Sequence, residues 1–173
     1  MSVLDSGSYT LEGRQFHVLA PPQKPARCPV LILLHSRNGT GAAILGHWRN
    51  AAARGSPLAA LVNTHYIVAP DGPERKWNVV SESDRNDAHY VSVTLINHLA
   101  TYANIIPTFS IVGSSNGSGL ANRILIESDD PRIERVVTES MPQKRIKQNR
   151  THYHNLVLCL IEDQPSICSL PNS

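Results

Sequence analysis

Continuous runs of aliphatic residues recur along the chain and end at polar or small residues. Residues 30–35 read VLILLH, residues 66–69 read YIVA, and residues 109–112 and 133–138 are similar in character. Runs of this kind are typical of strands in a parallel sheet that is covered on both faces. Residues 9–19, YTLEGRQFHVL, alternate instead between apolar and polar positions, which predicts a strand or a hairpin with one exposed face.

Helical patterns lie between these predicted strands. Residues 42–61 favour a helix, but Gly55-Ser56-Pro57 interrupts it, because the residue before a proline avoids the helical region. Residues 87–102 predict a second helix, which begins at Asp87 and has one apolar stripe. The stripe consists of Val91, Leu95, Leu99 and Tyr102. Residues 118–127 predict the helix that follows the third aliphatic run.

The alternation of strands and helices predicts an α/β fold. We expect a three-layer sandwich whose sheet is mostly parallel, because helices then cover both faces of the strands. A length of 173 residues suits one domain with a sizeable core, so we predict a single domain over residues 1–173 without internal repeats.

Charge and composition narrow the functional classes. The formal net charge is only +2, which gives no electrostatic reason to expect nucleic acid or an anionic membrane as a partner. The longest aliphatic run is far shorter than the roughly 20 residues that span a bilayer. The first 20 residues lack the features of a secretory signal, and the three cysteines, Cys28, Cys159 and Cys168, form no evident disulfide framework. We therefore expect a cytoplasmic protein.

Five residues in the middle of the chain match a catalytic motif. Gly113-Ser114-Ser115-Asn116-Gly117 has the G-x-S-x-G pattern of a nucleophile elbow, and it lies between a predicted strand and a predicted helix. The glycines permit a sharp turn, Ser115 is the candidate nucleophile, and the Asn116 amide is a candidate oxyanion donor. The alternative is a serine-rich turn without catalytic function.

A second oxyanion donor is expected from the loop after an earlier strand. The segment LLHSRNGTG occupies that place, and the backbone amide of Arg37 is the candidate donor. Taken alone, the segment is equally compatible with an ordinary glycine-containing turn.

Four segments together resemble one branch of the α/β-hydrolases. VLILLHSRNGTG, YIVAPDGPERKWNV, DAHYVSVTLINHL and FSIVGSSNGSGLANRI occur in the order and spacing of the polyhydroxybutyrate depolymerase and feruloyl esterase-like branch. The resemblance covers residues 9–139 and leaves 140–173 as a divergent tail. It implies a serine esterase that acts on small-molecule or polymeric carboxylic esters, with Ser115 as nucleophile, amides near Arg37 and Asn116 as oxyanion hole, and no cofactor or metal.

The sequence also departs from this branch. Ser36 stands where the family usually has glycine. LHSRNGTGAAILG also resembles acyl-thioesterases and carboxylesterases, a lower alternative against which the Trp77-Asn78 pair argues. His35 and Asp71 precede the nucleophile, so the family order makes them structural rather than catalytic.

The family order leaves the triad incomplete. In α/β-hydrolases the acid and the histidine follow the serine. Asp163, at the end of NLVLCLIED, is the candidate acid, but no histidine follows it. His152 and His154 precede it in a polar stretch, where we expect solvated loop residues. Their spacing to Cys159 does not fit a structural zinc site.

These features predict an impaired hydrolase. From the resemblance we expect the family's C-terminal strand and helix to be missing, and we expect the uncovered sheet edge to promote self-association. The alternative from another class is a non-catalytic remnant or binding module that keeps the hydrolase pocket, because loss of the general base removes most of the rate.

Overall fold

A six-stranded sheet lies at the centre of the computed structural model, which describes residues 2–23, 26–80 and 85–139. Its strands are β1 (Gly7–Leu11), β2 (Arg14–Leu19), β3 (Cys28–Leu34), β4 (Tyr66–Pro70), β5 (Ile105–Ser114) and β6 (Ile133–Glu139). Their spatial order is β1-β2-β4-β3-β5-β6. The pairs of β1 with β2 and of β2 with β4 are antiparallel, and the remaining pairs are parallel. The predicted, mostly parallel sheet is therefore confirmed.

The segment 9–19 forms a hairpin rather than a single strand. Glu12 and Gly13 connect β1 to β2 and have φ angles of 50° and 74°. Two central residues with positive φ are the feature of the two-residue turn whose twist matches that of the flanking strands. This turn fixes the register in which Leu11 pairs with Arg14 and Ser8 pairs with His17.

Two helices follow β3. Helix α1 (Gly41–Ala53) begins where Thr40 Oγ1 accepts a hydrogen bond from the Ala43 amide at 3.1 Å. Helix α2 (Leu58–Thr64) follows after Gly55, which has a φ of 80°, and Pro57. The predicted interruption of residues 42–61 is therefore confirmed. A short 3₁₀ turn, Pro73–Arg75, comes after β4.

The third helix, α3, is built from three consecutive segments. It begins as Asp87–His89, continues with π-helical geometry over Tyr90–Leu95, and ends as Ile96–Leu99. The prediction that it extends to residue 102 is wrong, because the chain turns after Leu99 and directs Tyr102 to a half-buried position. The last described helix, α4 (Asn116–Glu127), begins two residues earlier than predicted.

Two apolar layers lie on opposite faces of the sheet. Alternating residues of β3 separate between them: Val30, Ile32 and Leu34 join the larger cluster, and Leu31 and Leu33 join the smaller one. The larger cluster contains the apolar faces of α3 and α4, and the smaller contains those of α1 and α2. This arrangement is the predicted three-layer sandwich.

Within the described residues, no helix is long and apolar enough to span a bilayer.

Candidate active site

Ser115 occupies a strained turn between β5 and α4. Its φ is 51° and its ψ is −112°, a conformation that a residue with a side chain rarely adopts. The residue is exposed, and its hydroxyl lies at the carboxyl ends of the parallel strands. Strain of this kind persists only where the surrounding structure imposes it, and it is concentrated at functional sites.

The two glycines of the motif allow three backbone segments to meet at this turn. A Cβ on Gly113 would lie 2.3 Å from the carbonyl oxygen of Gly117. A Cβ on Gly117 would lie 2.1 Å from the carbonyl oxygen of Leu34, at the end of β3. Neither position has room for a side chain, so the motif's glycines set the approach of β5, α4 and β3.

Ser118 fastens the turn to β6, a role that the sequence motif does not indicate. Its buried hydroxyl lies 2.6 Å from the carbonyl oxygens of Gly113 and Glu139 and accepts a hydrogen bond from the Glu139 amide at 3.0 Å. The Ser115 amide also donates to Glu139 O, at 3.2 Å. The turn that carries Ser115 is therefore hydrogen-bonded to Glu139 of β6 through both Ser115 and Ser118.

The two candidate oxyanion donors lie on adjacent strand ends. Leu34 pairs with Gly113 in the parallel register, and Arg37 and Asn116 each follow three residues later. Asn116 opens α4, where the first amides have no partner within the helix and the helix dipole favours negative charge. The amide of Arg37 finds no hydrogen-bond acceptor among the described residues.

The side chain of Asn116 clamps a second loop against the elbow. Its Oδ1 accepts from the Trp77 amide at 2.7 Å, and its Nδ2 donates to the Trp77 carbonyl at 3.2 Å. The Trp77 indole N–H donates to His35 O at 2.8 Å. Trp77 thus joins the loop after β3 to the start of α4.

A buried carboxylate supports this loop from behind. Asp87 is fully buried and accepts from the Asn78 amide at 2.6 Å, from Arg14 at 2.8 Å and from Arg85 at 3.1 Å. The prediction that Asp87 lies in the first turn of a helix is confirmed, but Asp87 also binds Arg14 on the distant hairpin, together with Asn78 and Arg85 just before the helix. Only the folded chain reveals this second function.

His35 uses both ring nitrogens away from Ser115. Its Nε2 accepts from the Gly72 amide at 2.9 Å, and its Nδ1 lies 2.8 Å from Ser36 O. Since a carbonyl only accepts, Nδ1 carries the proton. Burial lowers the pKa of His35, against the opposing effect of the Ser36 hydrogen bond, so the ring is neutral at pH 7. The side chain ties β3 to the loop after β4.

Asp71 ties the end of β4 to the start of α1. Its Oδ1 accepts from the Gly41 amide at 2.6 Å. Its Oδ2 lies 3.3 Å from His17 Nε2, on the hairpin. The contacts of Asp71 therefore point away from Ser115.

The remaining predicted site residues lie outside the described residues. These are Asp163, His152 and His154, together with Cys159 and Cys168. No histidine in residues 2–23, 26–80 or 85–139 is hydrogen-bonded to the Ser115 hydroxyl. The same residues contain no cluster of three metal-ligating side chains.

Sequence comparisons alone do not classify the chain. No family model matches it, and no curated protein matches it.

Solved structures share its fold. Poly(aspartic acid) hydrolase-1 from Sphingomonas sp. KT-1 is 18% identical with a TM-score of 0.60, and the match covers 86% of this chain and 62% of that one. A ferulic acid esterase is 18% identical with a TM-score of 0.57, covering 83% and 61%. A poly(3-hydroxybutyrate) depolymerase from Bordetella parapertussis is 14% identical with a TM-score of 0.57, covering 80% and 52%.

The match covers only part of these proteins. The chain spans between 35% and 62% of the length of the solved structures that it resembles. At such low identities the likeness establishes the architecture and not the activity. The resemblance inferred from sequence is confirmed at this level: the chain has the fold of the α/β-hydrolases, the superfamily of the esterases and depolymerases that it matches.

Proposed function

We propose that the protein is a serine hydrolase of carboxylic esters and that Ser115 is its nucleophile. The observation that carries this proposal is the strained Ser115 backbone, with φ 51° and ψ −112°, between a strand and a helix whose glycines admit no Cβ. A serine-rich turn without function has no need of this strain, whereas a nucleophile elbow requires it.

The surrounding amides support the same chemistry. Attack of the Ser115 oxygen on an ester carbonyl places negative charge on the carbonyl oxygen, and preorganised backbone donors stabilise that charge. Asn116 and Arg37 supply such donors at the ends of neighbouring strands. Two hydrogen bonds between the Asn116 side chain and the Trp77 backbone hold Asn116 in place.

The substrate is proposed to be a small or polymeric carboxylic ester. Two of the matched structures are a ferulic acid esterase and a poly(3-hydroxybutyrate) depolymerase, names that specify ester substrates. The depolymerase and feruloyl esterase-like motifs of this sequence agree with that class. The described strand ends leave Ser115 exposed, so a polymer chain has access to it.

We propose that turnover at Ser115 is slow. A serine hydroxyl becomes a strong nucleophile only when a base removes its proton. In the described residues no histidine bonds to Ser115, and His35 directs both ring nitrogens elsewhere. Oxyanion donors and binding alone leave a residual acceleration of roughly 10³-fold over water. Asp163 is kept as the proposed acid.

The lack of a histidine bonded to Ser115 among the described residues also favours an alternative function, ester binding without catalysis. A non-catalytic module that binds esters needs the pocket and the amides but no base. In that case the chain binds an ester analogue without forming a covalent adduct at Ser115.

The experiment compares the full chain with Ser115→Ala. We expect slow p-nitrophenyl acetate hydrolysis with a component that Ser115→Ala removes, and a fluorophosphonate adduct on the Ser115 peptide in mass spectrometry. Added imidazole should increase the Ser115-dependent component, because it can act as the base that the described residues do not supply. Ser114→Ala is the matched control and should leave the adduct unchanged. Absence of an adduct at Ser115, with or without imidazole, would exclude Ser115 as a nucleophile and leave the binding module as the function of this pocket.

We also propose that the chain self-associates through its sheet edge. In the described part of the chain, β6 pairs only with β5. Beside it lies a groove of about 530 Å³ whose walls include Trp48, Leu58, Val112 and Val137. An apolar groove next to a strand whose outer edge is open in the described residues is a surface that a second copy can cover.

A further inference from the structure

A second hydrogen-bonded serine, histidine and aspartate lies on the hairpin, away from Ser115. Ser8 Oγ is 2.8 Å from His17 Nδ1, and His17 Nε2 is 3.3 Å from Asp71 Oδ2. We propose that Ser8, His17 and Asp71 form a second hydrolytic site, in which Ser8 is the nucleophile, His17 the general base and Asp71 the positioning residue. This proposal does not rest on the function proposed for Ser115.

The hydrogen bonds select, for a neutral His17 ring, the tautomer that the chemistry requires. An ionised carboxylate only accepts hydrogen bonds, so the proton of neutral His17 is on Nε2 and faces Asp71. Nδ1 is then the acceptor for the Ser8 hydroxyl. Asp71 is itself held in place, because its other oxygen accepts from the Gly41 amide at 2.6 Å. Asp71 was predicted to be structural, and its contact with the Gly41 amide has that function. The contact uses only Oδ1, so Oδ2 remains to face the His17 imidazole.

Exposure differs among the three residues in the sense that catalysis needs. The His17 side chain is only 12% exposed and the Asp71 side chain 30%, whereas Ser8 is exposed to solvent. The base is therefore sheltered and oriented, and the nucleophile is accessible to a substrate.

In the described sheet, the alternation of hydrogen-bonded and non-hydrogen-bonded residue pairs between β1 and β2 turns the Ser8 amide away from β2. Leu11 and Arg14 close the two-residue turn as a hydrogen-bonded pair, and hydrogen-bonded and non-hydrogen-bonded pairs alternate along an antiparallel ladder. Ser8 and His17, three pairs further, are therefore a non-hydrogen-bonded pair. The Asp71 amide donates to Gln15 O, which confirms that this parity of β2 faces β4.

Two consequences follow from this parity. Side chains of a non-hydrogen-bonded pair lie close together, which explains the short contact between Ser8 and His17. The Ser8 amide points away from β2 and toward the outer side of β1, which is the edge strand of the described sheet. In serine proteases the nucleophile's own amide is one of the oxyanion donors, and the Ser8 amide has no acceptor among the described residues.

A cleft next to Ser8 provides the space for a substrate. It measures about 440 Å³ and lies between the hairpin and α1, with Ser8, His17, Leu45 and Arg49 in its lining. Leu45 offers an apolar contact and Arg49 an exposed positive charge. The substrate class is therefore a small ester that carries a carboxylate.

The reaction balances without any further group. Ser8 Oγ bonds to the ester carbonyl carbon while its proton moves to His17 Nδ1. The ester C–O bond then breaks, and the leaving alkoxide takes that proton to become an alcohol. Water attacks the acyl-serine, gives a proton to His17 and releases the carboxylic acid, and the Nδ1 proton returns to Ser8.

The test uses the full chain in a Ser115→Ala background, which separates this site from the elbow. We expect fluorophosphonate to label the peptide that contains Ser8, and Ser8→Ala to remove the label. His17→Gln should lower the labelling rate by roughly 10²-fold, the range of general base catalysis. Thr10→Ala, on the same strand and the same face, is the matched control and should change nothing. Absence of label at Ser8 would overturn the proposal.

Asp71 and Arg49 need readouts that a structural function does not affect. Asp71→Asn keeps an oxygen for Gly41 but loses the charge, so we expect kcat for p-nitrophenyl acetate to fall and KM to stay constant. Arg49→Gln should lower kcat/KM for para-acetoxybenzoate about tenfold, as expected for a charged hydrogen bond, and spare its methyl ester. Equal effects on both esters, or unchanged kcat in Asp71→Asn, would contradict the assigned roles.

Discussion

At the scale of single residues, the turn at Ser115 depends on two positions that have no room for a side chain. Gly113 and Gly117 let the turn touch its own helix and the end of β3, and Ser118 bonds the turn to β6. The motif predicted the function of the two glycines, because G-x-S-x-G is typical of a sharp turn that has no room for side chains at those positions. It did not predict the hydrogen bonds of Ser118, because their partner Glu139 is distant in sequence.

We predict that Gly117→Ala destabilises the fold and moves Ser115. The new methyl group would lie 2.1 Å from Leu34 O, and the backbone must shift to accept it. Overpacking of this kind costs typically about 1–3 kcal/mol in unfolding free energy. Urea denaturation measures the loss, and fluorophosphonate labelling measures the displacement of Ser115.

Gly46→Ala is the matched control for this change. Gly46 lies inside α1, and a Cβ there meets no atom within 4 Å. Because alanine is a better helix former than glycine, the variant should gain about 0.5–1 kcal/mol. Equal urea midpoints for the two variants would show that the elbow is not tightly packed.

His35 should make stability depend on pH. Burial lowers its pKa in the folded state below 6.5, so the unfolded chain binds the proton more readily. Its stabilising contribution is therefore present above pH 6.5 and is lost as the pH falls below that value. His35→Asn, which keeps a donor and an acceptor, should flatten the slope of unfolding free energy between pH 5 and about 7. His47→Gln, at an exposed position of α1, is the control, and an equal slope in all three proteins would contradict the assignment.

At the scale of elements, the sequence predicted the central strands well and their ends less well. Residues 109–112 gave the core of β5, but the strand begins at Ile105. Pro107 concealed this start, because prolines are excluded from regular central strands. The structure accommodates Pro107 in an irregularity, where the register changes between Cys28 and Val30 of β3. Such an irregularity depends on the partner strand and is invisible in local periodicity.

The loop that holds Trp77 shows the same limit. Its sequence indicated only a turn and a family motif. Its geometry is set by Asp87 at the start of α3, Arg14 on the hairpin and Arg85 just before α3. Local patterns identify Asp87 as a helix-opening residue but contain no information on partners that are distant in sequence.

We predict that Asp87→Asn loosens this loop. The change removes the charge that Arg14 and Arg85 share and weakens the acceptor of the Asn78 amide. Unfolding free energy should fall by roughly 2–3 kcal/mol, less than for a fully buried ion pair, because both arginines keep contact with water. Trp77 fluorescence should also report a more exposed indole.

The control removes a pair of charges on the surface. Glu74→Gln breaks the contact with Lys76, in which both side chains are exposed. We expect no change in the urea midpoint or in the fluorescence. A loss as large as that of Asp87→Asn would mean that net charge, and not the buried carboxylate, controls stability.

At the scale of the whole molecule, the two faces of the sheet are covered unequally in the described residues. On one face α3 and α4 bury the larger cluster, with Phe109 and Ile111 fully enclosed. On the other face α1 and α2 leave a groove of about 530 Å³ beside β5 and β6, where Val112 and Val137 remain half-buried. The groove also reaches Ser114, so its occupancy bears on access to the elbow.

We predict that the chain associates through this groove in a concentration-dependent manner. Contact between two copies would bury Val137, which removes apolar surface from water at about 25 cal/mol per Å². It would also pair the edge of β6 that is open in the described residues. Sedimentation velocity over a wide concentration range should show a larger species, and Val137→Lys should shift it to the monomer. Ile126→Lys alters an exposed apolar residue of α4, outside the groove lining, and should leave the association intact. A monomer at every concentration, or equal effects of the two lysines, would refute association through this surface. Because Ser114 adjoins the groove, the dilution that releases the monomer should also increase the rate of fluorophosphonate labelling at Ser115.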